Sequence, residues 1–186
     1  KMHILNNVID FAKKINISKP RVAVLSGTED PIESMPSSME AKEIMERAKK
    51  ENIDAYVHGP LAFDNAVSPE AAKIKKIQNE VAGQADILLV PNLETGNALS
   101  KIMVYFMGAC AAGFIVGGKV PVVVTSRADN AASRLASIAA SIIAFTWSSS
   151  VTSVQTKCAS PPASLILSTV ACPVSALKSA TIKLCS

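Results

Sequence analysis

The chain has 186 residues, of which 49% are hydrophobic, 18% are charged and 4% are aromatic, and its formal net charge is +4. This length and apolar content are sufficient for one packed domain without a metal or disulfide framework. Charges of both signs are mixed along the helical segments, so no nucleic-acid-binding surface is indicated, and no apolar run is long enough to span a bilayer.

The first part of the chain alternates helices with short apolar strands. Apolar residues at helical spacing predict a first helix that Pro20 ends, and the strand RVAVL follows at 21–25. A second helix is predicted from Ser37, which has capping-box spacing to Glu40. A short second strand follows at 55–57.

The stretch 61–67 is the first candidate site loop. Gly59 and Pro60 are expected to end the second strand, and Ser68 is expected to cap a third helix that runs to about Val81. The residues between them have no obvious structural task, yet they place an aspartate beside an asparagine. We therefore expect a loop with polar side chains available for binding.

The pattern continues to residue 145. A strand apolar on both faces is predicted at 86–90, a helix at 98–108, a hairpin with strands at 114–116 and 120–124, and a closing helix at 128–145. Strands that are apolar on both faces are typical of sheets covered on both sides. The sequence therefore predicts an α/β layered fold with a mostly parallel sheet, helices on both faces and one antiparallel pair.

The composition changes after Trp147. The remainder has no acidic residue, is rich in Ser, Thr, Val and Ala, and has no clear helical or strand period. It is either a natural Ser-rich extension or sequence foreign to the fold, such as an altered reading frame, and the second interpretation is favoured because the preceding helix looks complete. We expect a domain at 1–145 and a tail at 146–186, of which the segment 147–186 is dispensable for folding of the domain.

Cysteine usage and the N-terminus exclude some classes of protein. The four cysteines have no C-x-x-C spacing and there are only two histidines, so a zinc site is not indicated and we expect no metal. No signal peptide pattern is present, and we expect a cytoplasmic protein. The chain begins directly in a helical pattern, as a piece of a longer chain would.

Three polar segments follow predicted strands: GPLAFDN at 59–65, PNLETGN at 91–97 and TSRADN at 125–130. In open α/β sheets, ligands bind beyond the carboxyl ends of the strands. No P-loop or G-x-G-x-x-G pattern is present, so a nucleotide fingerprint is absent from the sequence. These three segments are the candidate site.

TSRADN has the sharpest chemistry of the three. Ser126 and Arg127 stand between an all-valine strand and the closing helix, where free backbone N–H groups and a guanidinium would hold an anion. The competing interpretation is that Ser126 is an N-cap and Arg127 is solvated, and the two weigh equally. PNLETGN precedes a predicted helix. For each of its residues taken singly, a role in the loop that leads into this helix, with Thr95 or Asn97 as cap, is favoured over a role in binding.

The motifs ILNNVIDFAKK, GPLAFDNAVSPEAAK, VAGQADILLVPNLETGN and PVVVTSRADN resemble the phosphate acetyltransferase and phosphate butyryltransferase family, and the butyryltransferase branch is the closer match. The resemblance runs from Lys1 to about Phe145. It implies transfer of a short acyl group between coenzyme A and inorganic phosphate, with coenzyme A as substrate and no other cofactor. It also implies a homodimer and an isocitrate/isopropylmalate dehydrogenase-like fold of two domains, with a portion that precedes this chain.

The resemblance also assigns residues. Arg127 matches a family arginine that steadies phosphate charge, and Ser126 matches a serine that hydrogen-bonds the thioester carbonyl or the sulfur. Ser133 stands where the family aspartate that takes the thiol proton is expected, so Asp129 is the nearest candidate for that task. We name Ser126, Arg127 and Asp129 as catalytic.

Substrate contacts are implied for the other two segments. The first contributes Asp64 and Asn65, and the second contributes Glu94, Gly96 and Asn97. Asn92 stands where the family has aspartate, and an asparagine cannot act as a base.

Two other classes of function stay open. The first is a non-catalytic structural or oligomerisation unit. The second is a dehydrogenase of the same fold that acts on hydroxythreonine phosphate or isopropylmalate. The absence of a metal-binding Asp/His cluster counts against the dehydrogenase. For the enzyme, we expect the 186-residue chain by itself to be inactive and prone to associate.

Overall fold

The computed structural model describes residues 1–145, 165–171 and 178–184. The helices of this part of the chain are α1 (Met2–Lys14), α2 (Pro36–Lys50), α3 (Phe63–Val67), α4 (Pro69–Ile74), α5 (Leu93–Met107) and α6 (Ala131–Phe145). The strands are β1 (Arg21–Leu25), β2 (Tyr56–Leu61), β3 (Ile87–Leu89), β4 (Cys110–Ile115), β5 (Val122–Val123), β6 (Leu165–Ala171) and β7 (Lys178–Leu184).

The strands form one sheet in the order β2-β1-β3-β7-β6-β4-β5. β1 is parallel to both of its neighbours, with Val22 opposite Val57 on one side and Ile87 on the other. β4 and β5 form the predicted antiparallel pair, in which Phe114 lies opposite Val123. The α/β architecture with a parallel three-stranded unit and a separate antiparallel pair is confirmed.

Both faces of β1 and β3 are buried, as the apolar side chains on both faces of these strands require. Val22 and Val24 lie in an apolar cluster with residues of α1, α2 and α6. Ala23 and Leu25 point to the opposite face, where they pack in a second cluster with Leu61 and its neighbours. Each fully buried aliphatic side chain of this kind contributes about 1.5 to 3 kcal/mol. A residue of the short helix α3 belongs to this second cluster, so helices contribute to both clusters.

The predicted tail contributes two strands to the middle of the sheet. β6 and β7 form an antiparallel ladder, β7 pairs antiparallel with β3, and β6 pairs parallel with β4. The expectation that 146–186 lacks regular structure is therefore wrong for 165–171 and 178–184, and the sheet has more than one antiparallel ladder. In the described sheet, β3 and β4 are joined through these strands, and the dispensability of the tail for folding stays a prediction. The other tail residues lie outside the described residues.

Several boundaries differ from the sequence prediction for local reasons. β2 continues through Gly59 and Pro60 to Leu61, and the expected loop that follows it is the short helix α3. Ser68 caps α4 as predicted, because its Oγ accepts the Ala71 N–H at 3.2 Å.

α4 ends at Ile74 and not near Val81. Lys76 adopts a left-handed conformation with a φ of 56°, and the Ile77 N–H donates to the Ala72 carbonyl at 2.9 Å. This is a helix-ending motif that leaves the following residues free to turn.

The predicted capping box of α2 is also wrong. Met35 is the N-cap and its side chain makes no capping hydrogen bond. Ser38, which is fully buried, has its hydroxyl bonded to the backbone of Ile32 and Met35. The hydroxyl ties the preceding loop to the first turn, which a box between Ser37 and Glu40 would not do.

Gly83 should tolerate a side chain poorly. Its φ is +77°, and an added Cβ would lie 2.6 Å from the Pro69 Cα. Gly108 is a matched control, because its φ is +65° and an added Cβ would meet nothing within 4 Å. A side chain in a left-handed conformation is strained at both sites. Only at Gly83 does overpacking against the backbone cost a further 1 to 3 kcal/mol or so.

We therefore expect Gly83→Ala to lower the free energy of unfolding by about 1 to 3 kcal/mol more than Gly108→Ala. Urea denaturation of both variants measures this difference. Equal losses for the two would show that the segment around Gly83 yields to the added methyl group.

Candidate functional site

A cavity of about 720 Å³ lies where α5, β4 and the segment before α6 meet. It brings the second and third polar segments together, since Asn97 of one and Ser126 of the other both line it. Its other polar lining residues include Ser100, Lys101, Thr125, Asp129, Asn130 and Ser133. The arrangement offers hydroxyl, amide and ammonium groups and one carboxylate around one space, which suits a polar ligand.

The TSRADN segment forms a tight turn closed by hydrogen bonds at both ends. The Asp129 N–H donates to the Ser126 carbonyl at 3.1 Å, and the Asp129 Oδ2 accepts the Ser126 N–H at 2.6 Å. The Ser126 Oγ in turn accepts the Ala128 N–H at 3.3 Å. The sequence did not reveal this closure, although an Asx residue three positions after a serine is a known signal for such local bonding.

The closing helix α6 begins at Ala131, three residues later than predicted. Its cap is Asn130, whose Oδ1 accepts the Ser133 N–H at 2.9 Å, so the interpretation of Ser126 as the N-cap is wrong. The N–H groups of Ser126, Ala128 and Asp129 are used inside the turn. They are therefore not the free donors that the sequence suggested for an anion.

Arg127 occupies the second position of this turn and is exposed to solvent. It is not among the residues that line the cavity, although Ser126 and Ala128 on either side of it are. Within the described part of the chain, its guanidinium makes no ion pair. The guanidinium can therefore turn towards an anion at the cavity mouth without breaking an existing contact.

Serines of α6 attach this helix to β4 behind the cavity. The Ser137 Oγ accepts the Gly113 N–H at 2.9 Å and donates to the Ser133 carbonyl at 2.8 Å. The Ser133 Oγ lies 3.9 Å from the Cys110 Sγ, a loose contact. Ser133 lines the cavity and is nearly buried, so the position at which the family aspartate is expected presents a hydroxyl.

The PNLETGN segment starts α5 and places one predicted residue at the cavity. Asn92 is the N-cap, because its Oδ1 accepts the Thr95 N–H at 2.8 Å. Neither Thr95 nor Asn97 has that task, and the predicted start at Ala98 is wrong. Asn97 lines the cavity, whereas Glu94 is exposed and Gly96 is buried, and neither of these two lines it.

The GPLAFDN segment does not line this cavity, and its two predicted residues differ in accessibility. Asp64 is exposed, whereas Asn65 is fully buried. The Asn65 Nδ2 donates to the Glu29 Oε1, which also accepts from the Lys75 Nζ at 2.8 Å. Asn65 thus holds the loop after β1 from the inside, and burial of this kind is not visible in a sequence.

A second depression, of about 870 Å³, runs along β2 at the edge of the sheet. It is lined by side chains of both charges, among them Lys49 and Glu80, together with the half-buried His58. Burial lowers the pKa of His58, and the nearby Glu80 opposes this effect. None of the three polar segments has a predicted site residue there, so the smaller cavity is the better candidate site.

The described residues contain no group of three or more His, Cys, Asp or Glu side chains that would hold a metal ion. The expectation of a metal-free site stays a prediction. No helix in the same part of the chain is both long and apolar enough to cross a membrane.

Comparison with known sequences places the match in the first three quarters of the chain. Residues 1–142 match the sequence profile of the family described as Phosphate acetyl/butaryl transferase. The chain is 47% identical over 140 residues to the phosphate acetyltransferase of Rhizobium meliloti, covering 75% of this chain and 44% of the relative. It is 41% identical over 140 residues to the phosphate butyryltransferase of Clostridium acetobutylicum, covering 75% and 46%. The chain therefore spans about half the length of the curated relatives it matches.

Solved structures give the same result. The chain is similar to a branched-chain phosphotransacylase from Enterococcus faecalis, with a TM-score of 0.68, 35% identity, and coverage of 77% of this chain and 51% of that chain. It is also similar to a phosphotransacetylase from Streptococcus pyogenes, with a TM-score of 0.58, 27% identity, and coverage of 77% and 43%.

Proposed function

We propose that this chain, which belongs to the phosphate acetyl/butyryl transferase family, is part of an enzyme that moves a short-chain acyl group, butyryl or acetyl, between coenzyme A and inorganic phosphate. The observation that carries the proposal is the cavity that both Asn97 and Ser126 line, with Arg127 next to Ser126 in the chain. Both segments lie within the residues that match the family. The acyl phosphate and acyl-CoA are the proposed substrates.

The chemistry explains why such groups are needed. In one direction the thiolate sulfur of coenzyme A attacks the carbonyl carbon of the acyl phosphate, the carbonyl oxygen becomes negative, and the bond from carbon to the phosphate oxygen then breaks. Phosphate leaves with the bonding electrons, and the thiol proton passes to an acceptor. Oriented donors and a cation stabilise the charge that develops on both oxygens.

The described residues supply these groups in part. Arg127 is the proposed partner of the phosphate oxygens, since a guanidinium binds phosphate with two parallel hydrogen bonds. The hydroxyl of Ser126 is the proposed donor to the carbonyl oxygen, and Asn97 is a proposed contact for coenzyme A. We keep Asp64 and Glu94 as proposed contacts because both are exposed. Gly96 lies in α5 and Asn65 in α3, and both are buried.

We also propose that the fold is isocitrate/isopropylmalate dehydrogenase-like, that two copies of the protein associate, and that it acts in the cytoplasm. Association is supported by apolar side chains that the last turns of α5 expose, among them Tyr105 and Phe106, which is 86% exposed. Light scattering on the purified protein tests the association, and a mass of one chain would contradict it.

The test of the activity is thiol release from butyryl-CoA and from acetyl-CoA by the protein that carries this chain, with and without inorganic phosphate. We expect thiol release that requires phosphate, with the acyl phosphate as product. Release without phosphate would indicate a thioesterase instead. No release with either thioester, in a folded preparation, would favour a structural unit or a dehydrogenase.

A further inference from the structure

The sequence offered Asp129 as the nearest candidate for the carboxylate that takes the thiol proton. The hydrogen bonds of Asp129 indicate a different role. We propose that Asp129 is a positioning residue: its side chain closes the turn that carries Ser126 and Arg127 and thereby fixes where these two groups act. The inference rests on the proposed acyl transfer for its kinetic consequence. The hydrogen bonds that support the inference lie within the turn and do not depend on the proposed reaction.

The turn is closed reciprocally by one residue. The Asp129 backbone N–H donates to the Ser126 carbonyl at 3.1 Å, while its own Oδ2 accepts the Ser126 N–H at 2.6 Å. The first bond closes a four-residue turn, and the second prevents the first residue of that turn from rotating. Ser126 and Asp129 are both half-buried, which strengthens these hydrogen bonds relative to fully solvated ones.

The position of Arg127 depends on this closure. It is the second residue of the turn and is exposed, and no ion pair within the described residues holds its guanidinium. The backbone direction at Arg127 is therefore the main restraint on where the charge can reach. A reacting group displaced by about 1 Å can cost roughly 100-fold in rate.

An acceptor role and a base role make different demands on the side chain. Accepting the Ser126 N–H requires an oxygen at the position of Oδ2, which an asparagine amide also supplies. Taking a proton from a thiol requires the negative charge, which an asparagine lacks. Asp129→Asn therefore separates the two roles with almost no change of shape, and Asp129→Ala removes both.

The experiment compares kcat and its pH profile for the wild-type protein, Asp129→Asn and Asp129→Ala, together with hydrogen exchange of the Ser126 amide. We expect the Asn variant to stay within about threefold of wild type with an unchanged pH profile, and the Ala variant to lose about 10- to 100-fold. The Ser126 amide should exchange slowly in the wild type and the Asn variant and faster in the Ala variant.

Loss of activity in the Asn variant equal to that in the Ala variant, or loss of a limb of its pH profile, would overturn the inference. If the wild-type protein transfers no acyl group, the proposed function fails and the exchange rates alone decide. Equal exchange of the Ser126 amide in all three proteins would then refute the closure by Asp129. Should the Ala variant not fold, the Asn variant still distinguishes a base from an acceptor.

Discussion

Arg127→Ala should lower the turnover of the protein that carries this chain by about 30- to 1000-fold, which corresponds to roughly 2 to 4 kcal/mol of transition-state stabilisation. Arg127 follows Ser126 in the closed turn beside the cavity. Negative charge grows on the phosphate oxygens as the acyl bond breaks, so a cation at this position acts more strongly on the transition state than on the substrate.

Arg134 provides a matched control for this experiment. It is an exposed arginine one turn into α6 and does not line the cavity. Arg134→Ala removes the same charge and should leave turnover within about twofold, because an exposed charge away from the reacting atoms is largely screened. Arg127→Lys should be intermediate, since an ammonium keeps the charge but not the two-pronged geometry.

The rate loss should not come from unfolding. Arg127 is exposed and makes no ion pair within the described residues, so its removal should change the free energy of unfolding by less than about 0.5 kcal/mol. Steady-state kinetics and a thermal melt on the same preparations measure both quantities. Equal turnover of Arg127→Ala and Arg134→Ala at saturating substrates would remove Arg127 from the mechanism.

The sequence predicted those elements whose period is unambiguous. Apolar and polar residues do not alternate in VAVL at 22–25, as is typical of a strand buried on both faces. This segment belongs to β1, with Val22 and Val24 in one core cluster and Ala23 and Leu25 in the other. The hairpin around the GGK turn was likewise recognisable, and β4 and β5 pair as expected. In these segments the local pattern and the tertiary packing agree, so either one suffices to identify the element.

Helix boundaries were harder because several residues near each start can serve as cap. Asn92, Thr95 and Asn97 all have suitable side chains, and in the structure Asn92 is the cap. The same competition at α6 selects Asn130 and leaves Ser126 in the preceding turn. Propensity names the residue types that cap a helix, and tertiary structure decides which of them does.

The strands of the tail were missed for a different reason. A strand in the middle of a sheet needs no alternation, and Ser- and Thr-containing segments carry little periodic signal. What places β6 and β7 is the pairing with β3 and β4, which is a long-range property. For the candidate site, the sequence assigned Asn97 and Ser126 to one site and both line one cavity, but it could not distinguish the buried Asn65 from the exposed Asp64.

Asn65→Asp should destabilise the protein by about 3 to 5 kcal/mol at neutral pH, which is the cost of leaving an uncompensated charge in the interior. Asn65 is fully buried and its Nδ2 donates to the Glu29 carboxylate. The substitution keeps the shape, removes the donor and brings a second carboxyl against Glu29. The single ammonium of Lys75, 2.8 Å from the Glu29 Oε1, cannot neutralise two carboxylates.

The loss of stability should depend on pH with a defined sign. Burial and the Glu29 charge favour the protonated form of the introduced carboxyl in the folded state, so its pKa there lies above the value of about 3.9 in the unfolded chain. Below that value both states are protonated and the electrostatic penalty is absent. As pH rises, the unfolded chain releases its proton first, and stability falls by up to about 1.4 kcal/mol per pH unit until the folded state also ionises.

Asn65→Ala is the control, because it removes the same donor without adding a charge. Urea denaturation of both variants between about pH 4 and pH 8 gives the difference in their free energies of unfolding, in which the cost of the lost hydrogen bond largely cancels. We expect this difference to be smallest at the acid end and to grow with pH. A difference that does not change with pH would mean that the introduced carboxyl turns out to solvent, and that Asn65 is not held in the interior by its bond to Glu29.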